Sequence, residues 1–191
     1  MPLKSQINHN FKKGSVEVIC GSMFSGKTEE LLRRLKRAKF AKLNIAVFKP
    51  TVDKRYDNKK IVSHDKNKIS ATTIDKSEKI LELFNQADIV AVDEAQFFDY
   101  NLVNVCNKLA SMGVRVIITG LDMDFLGNPF GVMPNILAIA ENITKVHAIC
   151  IDCGEIANNS YRKSSKKRLV QIGEKKDYKA LCRSCFVKNM Q

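Results

Sequence analysis

Two hydrophobic periods alternate along this chain. Residues 15–20 place Val16, Val18, Ile19 and Cys20 around Glu17 and read as a strand. Residues 28–42 switch to the helical period: Leu31, Leu32 and Leu35 share one face, while Arg33, Arg34, Lys36 and Arg37 lie mostly on the other. Residues 44–48 form a second strand, stopped by Pro50. Residues 51–73 are polar, hold no period and predict an extended loop or hairpin. Helical spacing returns at Ile80, Leu83 and Phe84, predicting a helix over 76–86. Residues 88–92 are an apolar run behind one acid, as in a strand buried on both faces. A helix is predicted over 99–112, with Asp99 as its cap and Gly113 as its stop. Residues 114–119 are another buried strand, 121–133 are irregular, 134–140 form a short helix and 143–149 a last strand.

This alternation predicts an α/β fold, a parallel sheet with helices on both faces. Residues 1–14 read as a mobile tail, 15–149 as the main domain and 150–191 as a small lobe. His9, His64 and His147 read as structural or inert, His147 half-buried in the last strand. Cys20 and Cys106 fall in apolar sets and read as core.

A length of 191 residues supports one well-packed domain with a small appendage. No apolar run approaches the roughly 20 residues of a membrane span, and the N-terminal residues are polar and basic, without a signal-peptide pattern. A cytoplasmic protein is expected, with no membrane partner. That compartment disfavours structural disulfides and turns attention to metal for clustered cysteines. The net charge of +12 suits a polyanion such as a nucleotide. The 32 Lys and Arg are spread along the chain rather than gathered in a stripe, so a solvated basic surface explains the charge as well.

Three constellations carry chemistry. The first is Gly21-Ser22-Met23-Phe24-Ser25-Gly26-Lys27-Thr28, which fits the phosphate-binding P-loop between a strand and a helix. Its backbone amides suit a phosphate, Lys27 suits the β- and γ-phosphates, and the Thr28 hydroxyl suits Mg²⁺. The second is Val92-Asp93-Glu94-Ala95-Gln96 after an apolar strand, where Asp93 would share Mg²⁺ and Glu94 would serve as general base. The alternative is an acid pair capping the next helix. The third is Cys150-x-x-Cys153 and Cys182-x-x-Cys185, the spacing of a four-thiolate Zn²⁺ site. Four protein ligands leave no open position, so the zinc would be structural. Residues 154–181 between the pairs are polar and basic, and can serve as a lid or as a solvated excursion. On chemistry alone Arg55 stands equally as a phosphate ligand or a surface residue.

These motifs, with Val92-Asp93-Glu94-Ala95-Gln96-Phe97-Phe98, Gly120-Leu121-Asp122-x-x-Phe125, Pro129-Phe130-Gly131 and the cysteine pairs around Tyr178, resemble the cytosolic (type II) thymidine kinases, in family order from about Val16 onward. The resemblance implies a RecA-like P-loop domain and a zinc-ribbon-like lobe with a lasso loop. It implies transfer of the ATP γ-phosphate to the 5′-hydroxyl of deoxythymidine, with Glu94 as base and Mg²⁺ on Thr28 and Asp93. Gly21 to Thr28, Arg55, Asp93 and Gln96 would bind ATP. Met23, Phe97, Leu121, Phe125 and Phe130 would line the base pocket, Tyr178 would touch the sugar, and Val170, Gln171, Ile172, Gly173 and Glu174 would bond thymine through the main chain. It further implies a homotetramer inhibited by dTTP. The chain departs from the pattern at Asn159, at Glu174 and in the basic residues 163–168.

Two other classes fit fewer residues. A nucleic-acid translocase shares Asp93-Glu94-Ala95-Gln96 but needs two such domains. A nucleic-acid-binding zinc ribbon would want more stacking aromatics than Tyr161, Tyr178 and Phe186. No nucleic-acid partner is expected.

Overall fold

The computed structural model describes residues 13–52, 60–62, 68–163 and 177–191. In chain order it contains β1 (Ser15–Cys20), α1 (Lys27–Phe40), β2 (Ile45–Pro50), β3 (Lys60–Val62), β4 (Lys68–Ser70), β5 (Thr72–Ile74), α2 (Lys79–Leu83) and β6 (Ile89–Val92). Then follow α3 (Leu102–Ser111), β7 (Arg115–Gly120), α4 (Met133–Ile139), β8 (Asn142–Lys145), β9 (Ala148–Ile149), β10 (Ile156–Ala157), β11 (Asn159–Arg162), β12 (Tyr178–Leu181) and α5 (Arg183–Met190).

Six strands make one sheet in the order β5-β2-β6-β7-β1-β8, and every neighbouring pair is parallel. The α/β fold read from the alternation is therefore the fold of the main domain. Strand alternation explains why both faces are covered. Val16, Val18, Val90, Val92, Val116 and Ile118 point to one face, where Ile80, Leu102, Val105, Leu109, Met133 and Ile136 from α2, α3 and α4 cover them. Ile19, Ile89, Ala91 and Ile117 point to the other, against Leu31, Leu32, Leu35 and Ala38 of α1. Each such fully buried aliphatic side chain contributes about 1.5–3 kcal/mol, so the two layers hold the helices on the sheet.

Several elements differ from the expectation. Thr72 and Thr73, read as the end of an extended loop or hairpin, form with Ile74 a parallel edge strand on β2. The predicted hairpin is present as β3 paired with β4. Asp99 does cap the start of α3, its Oδ1 accepting from Asn101 N at 3.1 Å, and the same carboxylate also accepts from Ser77 N at 2.9 Å and Ser77 Oγ at 2.6 Å. That ties the start of α2 to the segment before α3. The expected strand over 143–149 divides at Val146. Its first part, β8, joins the main sheet beside β1, while β9 pairs antiparallel with β10 in the cysteine lobe. His147 lies between them, exposed rather than half-buried, with Nδ1 against Asn158 Oδ1.

Because all six strands run the same way, the segments after β1, β2, β6, β7 and β8 gather at one edge of the sheet, the edge where such folds bind ligands. The P-loop, Asp93 and Leu121 all lie there.

Candidate active site

The P-loop curls between β1 and α1. Gly21 adopts φ 147°, and a Cβ there would lie 2.1 Å from Val146 O, so only glycine lets the loop pass under the end of β8. Ser25 Oγ donates to Ser22 O at 2.7 Å, and Lys27 Nζ donates to the same carbonyl at 2.7 Å. The ammonium is thereby held within the curl. Gly26, at φ 85°, begins α1, and among the described residues no side chain caps that helix. Its N-terminus faces the curl of the loop, and the helix dipole favours an anion there. Thr28 stands in the first turn of α1.

Asp93 and Glu94 follow β6. Asp93 is buried; its Oδ1 accepts from Thr119 Oγ1, in the neighbouring strand, and from Glu94 N at 3.0 Å. The sequence reading missed Thr119, although a lone hydroxyl at the end of the apolar run Val116–Ile118 was a usable signal. Glu94 sits in the left-handed region at φ 53°, ψ 43°. A non-glycine residue there carries strain of about 1–3 kcal/mol, a feature that collects at functional sites. Gln96 is buried; its Nε2 donates to Glu94 Oε2 at 2.5 Å and its Oε1 accepts from Leu121 N at 3.0 Å. Lys49, 2% exposed at the end of β2, is a further buried charge at this edge that the sequence reading passed over.

A family model described as thymidine kinase matches residues 14–186. The chain belongs to the thymidine kinase family. It is 54% identical over 190 residues to a thymidine kinase of Porphyromonas gingivalis, covering 98% of this chain and 93% of that protein. Identity to a thymidine kinase of Bacteroides fragilis is 53% over 188 residues, 98% of this chain and 94% of the relative. A thymidine kinase of Bdellovibrio bacteriovorus is 47% identical over 183 residues, 95% of this chain and 90% of the relative.

The residues that the thymidine kinase resemblance assigned to a base pocket fall in two groups. Phe97 and Phe130 meet edge to face with ring centroids 5.7 Å apart, and Leu121 is bonded to Gln96 beside them. Gly131, at φ 51°, lets residues 129–131 approach the Gln96 carbonyl; a Cβ there would lie 2.3 Å from that oxygen. The second group lies toward the lobe. Arg162 is buried with its guanidinium 3.4 Å from the centre of the Phe125 ring, a cation–π contact that joins β11 to the loop after β7. Tyr178 is buried opposite Arg162 in the β11–β12 ladder. Met23 N donates to Ser160 Oγ at 2.9 Å. No feature of the sequence singled out Ser160. Arg55 and Val170, Gln171, Ile172, Gly173 and Glu174 lie outside the described residues.

The four paired cysteines converge: the Sγ atoms of Cys150, Cys153, Cys182 and Cys185 all lie within 4.8 Å of one another. A tetrahedral thiolate site with Zn–S bonds of about 2.3 Å has S–S edges of about 3.8 Å, and Cys153 Sγ and Cys182 Sγ are 3.6 Å apart. The donor set therefore fits one tetrahedral ion. Local backbone explains the convergence. Gly154 N bonds Cys150 O at 2.9 Å, closing one knuckle; Cys185 N bonds Cys182 Sγ at 3.4 Å, closing the other at the start of α5. The lobe's own core is small: Ala148, Cys150, Ala157, Ala180, Leu181 and Phe186. A bound ion would supply the cohesion that so few apolar residues cannot. Among the described residues no helix is long and apolar enough to cross a membrane.

Proposed function

We propose that this chain transfers the γ-phosphate of ATP to the 5′-hydroxyl of deoxythymidine, giving dTMP and ADP. The reading rests above all on Glu94, strained and bonded to Gln96 at the sheet edge that carries the P-loop, in a chain of the thymidine kinase family.

In this reading residues 21–28 cradle the triphosphate, with Arg55 as a further ATP ligand. Lys27 neutralises charge on the transferring group. Thr28 and Asp93 hold Mg²⁺, which supplies further neutralisation of the phosphate oxygens; the hydrogen bond from Thr119 keeps the Asp93 carboxylate turned. Glu94 accepts the proton of the 5′-hydroxyl as that oxygen bonds to the γ-phosphorus. The bond from phosphorus to the β–γ bridging oxygen breaks, and ADP leaves with the electron pair.

The base lies among Met23, Phe97, Leu121, Phe125 and Phe130. Tyr178 touches the sugar, and the main chain of 170–174 reads the thymine edge. The cysteine site holds structural Zn²⁺. The enzyme works in the cytoplasm as a homotetramer and is inhibited by dTTP in the nucleoside site. Its Met23, Phe97 and Phe130 surroundings supply apolar contact for a pyrimidine.

The test is transfer of labelled γ-phosphate from ATP-Mg²⁺ to a panel of nucleosides, run beside ATP hydrolysis with and without single-stranded DNA. Label on thymidine, little on purine nucleosides and no stimulation by DNA is the expected result. DNA-stimulated hydrolysis without nucleoside labelling would overturn it.

A further inference from the structure

The crown of the P-loop is held from outside its own strand and helix. Met23 N donates to Ser160 Oγ at 2.9 Å, and Ser22 Oγ donates to Ala157 O at 3.4 Å. Phe24, the next residue, packs against the lobe core formed by Ala148, Cys150, Ala157, Leu181 and Phe186. Three consecutive loop residues thus lean on β10, β11 and the core they share with the cysteine site. Phe24 also has φ 64°, an uncommon conformation for a residue with a side chain. The lobe that receives its ring helps to hold that conformation.

These contacts have a consequence for phosphate binding. A P-loop works because its amides are aimed before the anion arrives. The Met23 amide is committed to Ser160, which fixes the peptide planes on either side of it. Ser160 is itself buried in β11, at 4% exposure, and β11 pairs with β12, which leads directly into Cys182. A hydroxyl two residues away from the cation–π contact of Arg162 is thus the link between the donor-phosphate loop and the lobe.

We infer that Ser160 is a positioning residue for the P-loop, and that through Ser160 and Phe24 the state of the cysteine lobe sets the affinity for the phosphate donor. The inference rests on the P-loop of the proposed function being the ATP site, and not on thymidine being the acceptor.

The experiment is calorimetric binding of a non-hydrolysable ATP analogue with Mg²⁺ to the full chain, without nucleoside. Ser160→Ala weakens binding roughly 3- to 10-fold, the size of one lost neutral hydrogen bond, while Ser160→Thr, which keeps the hydroxyl, retains it. Stripping the lobe's metal with a chelator weakens binding to the unsubstituted chain, and weakens binding to Ser160→Ala by a smaller factor, because the link is already cut. Equal affinity for Ser160→Ala and the unsubstituted chain would overturn the inference, as would equal losses for the Ala and Thr variants. Should Ser160→Ala fail to fold, the unsubstituted chain decides alone: a chelator that leaves the analogue's affinity unchanged refutes the coupling. Thymidine phosphorylation measured on the same samples separates the two claims. Absent transfer with intact coupling refutes the acceptor and leaves the loop–lobe link standing.

Discussion

Gln96 holds Glu94. Its amide nitrogen lies 2.5 Å from Glu94 Oε2, and its amide oxygen accepts from Leu121 N at 3.0 Å. One buried side chain thus links the proposed base to the start of the loop that carries Phe125 and Phe130. Gln96→Met keeps the volume and removes both bonds. It lowers kcat roughly 10- to 100-fold, the equivalent of losing one hydrogen bond to a charged group. Steady-state kinetics check this; an unchanged kcat would detach Gln96 from the chemistry.

Gly131 is the second support of the same assembly. A methyl group there collides with the Gln96 carbonyl, a backbone atom that cannot turn aside, and the residue's φ of 51° is unfavourable for alanine as well. Gly131→Ala destabilises the fold by about 1–3 kcal/mol. Urea unfolding gives the value; a midpoint equal to that of the unsubstituted chain would show that the loop relaxes freely.

The cysteines divide by environment. Cys20 and Cys106 are 2% and 1% exposed, and burial raises both thiols, that of Cys106 to about 12. Cys153 is exposed and Cys182 and Cys185 are half-buried, so removing the lobe's metal from the native chain makes these three reactive and leaves Cys20 and Cys106 silent, while Cys150, 1% exposed, reacts only as the lobe loosens. Alkylation mapped by mass spectrometry tests this. Labelling of Cys106 at the rate of the lobe cysteines would mean that the core opens with the lobe.

Acid sensitivity follows from the first turn of α1. Hydrogen bonds from Arg33 and then Arg34 hold the Glu30 carboxyl at about 2, below its ordinary 4.5, against the opposing effect of burial. Glu17 is lowered as well: burial raises it, but Arg115 and Arg34 together outweigh that. A carboxylate with a depressed folded-state pKa stabilises above its unfolded value and loses that contribution as pH falls toward the folded one. The stability difference between the unsubstituted chain and Glu30→Gln is therefore constant above about pH 5 and shrinks between pH 4.5 and 2. Denaturant midpoints across that range check it; a difference that widens on acidification would contradict the sign.

The parallel sheet was legible because its central strands are apolar on both faces and its helices carry one apolar stripe. Val90 to Val92 and Val116 to Ile118 fit no other setting so well. The edge strand Thr72–Ile74 was not legible, since three residues in a polar stretch carry no period and owe their conformation to pairing with Phe48 to Pro50. Residues 143–149 look like one strand because Ile143, Thr144, Val146, Ala148 and Ile149 carry β-branched or apolar side chains through both halves; only the geometry at Val146, which bonds Cys20 O and crowds Gly21, shows where the chain leaves the sheet. Motif spacing located the P-loop, the Asp93-Glu94 pair and the cysteines, because each is local in sequence. Contacts such as Thr119 with Asp93, Arg162 with Phe125 and Ser160 with Met23 join distant segments, and no single-sequence pattern records which side chains will meet.

The most direct test of the proposed chemistry is single-turnover formation of dTMP from ATP-Mg²⁺ and thymidine by the unsubstituted chain and by Glu94→Ala, with ATP binding measured on both. Loss of roughly 10²–10⁴ in the rate of transfer with ATP affinity retained is the expected result, the usual size of a general-base contribution. Transfer by Glu94→Ala at close to the full rate would show that another group, or none, takes the proton.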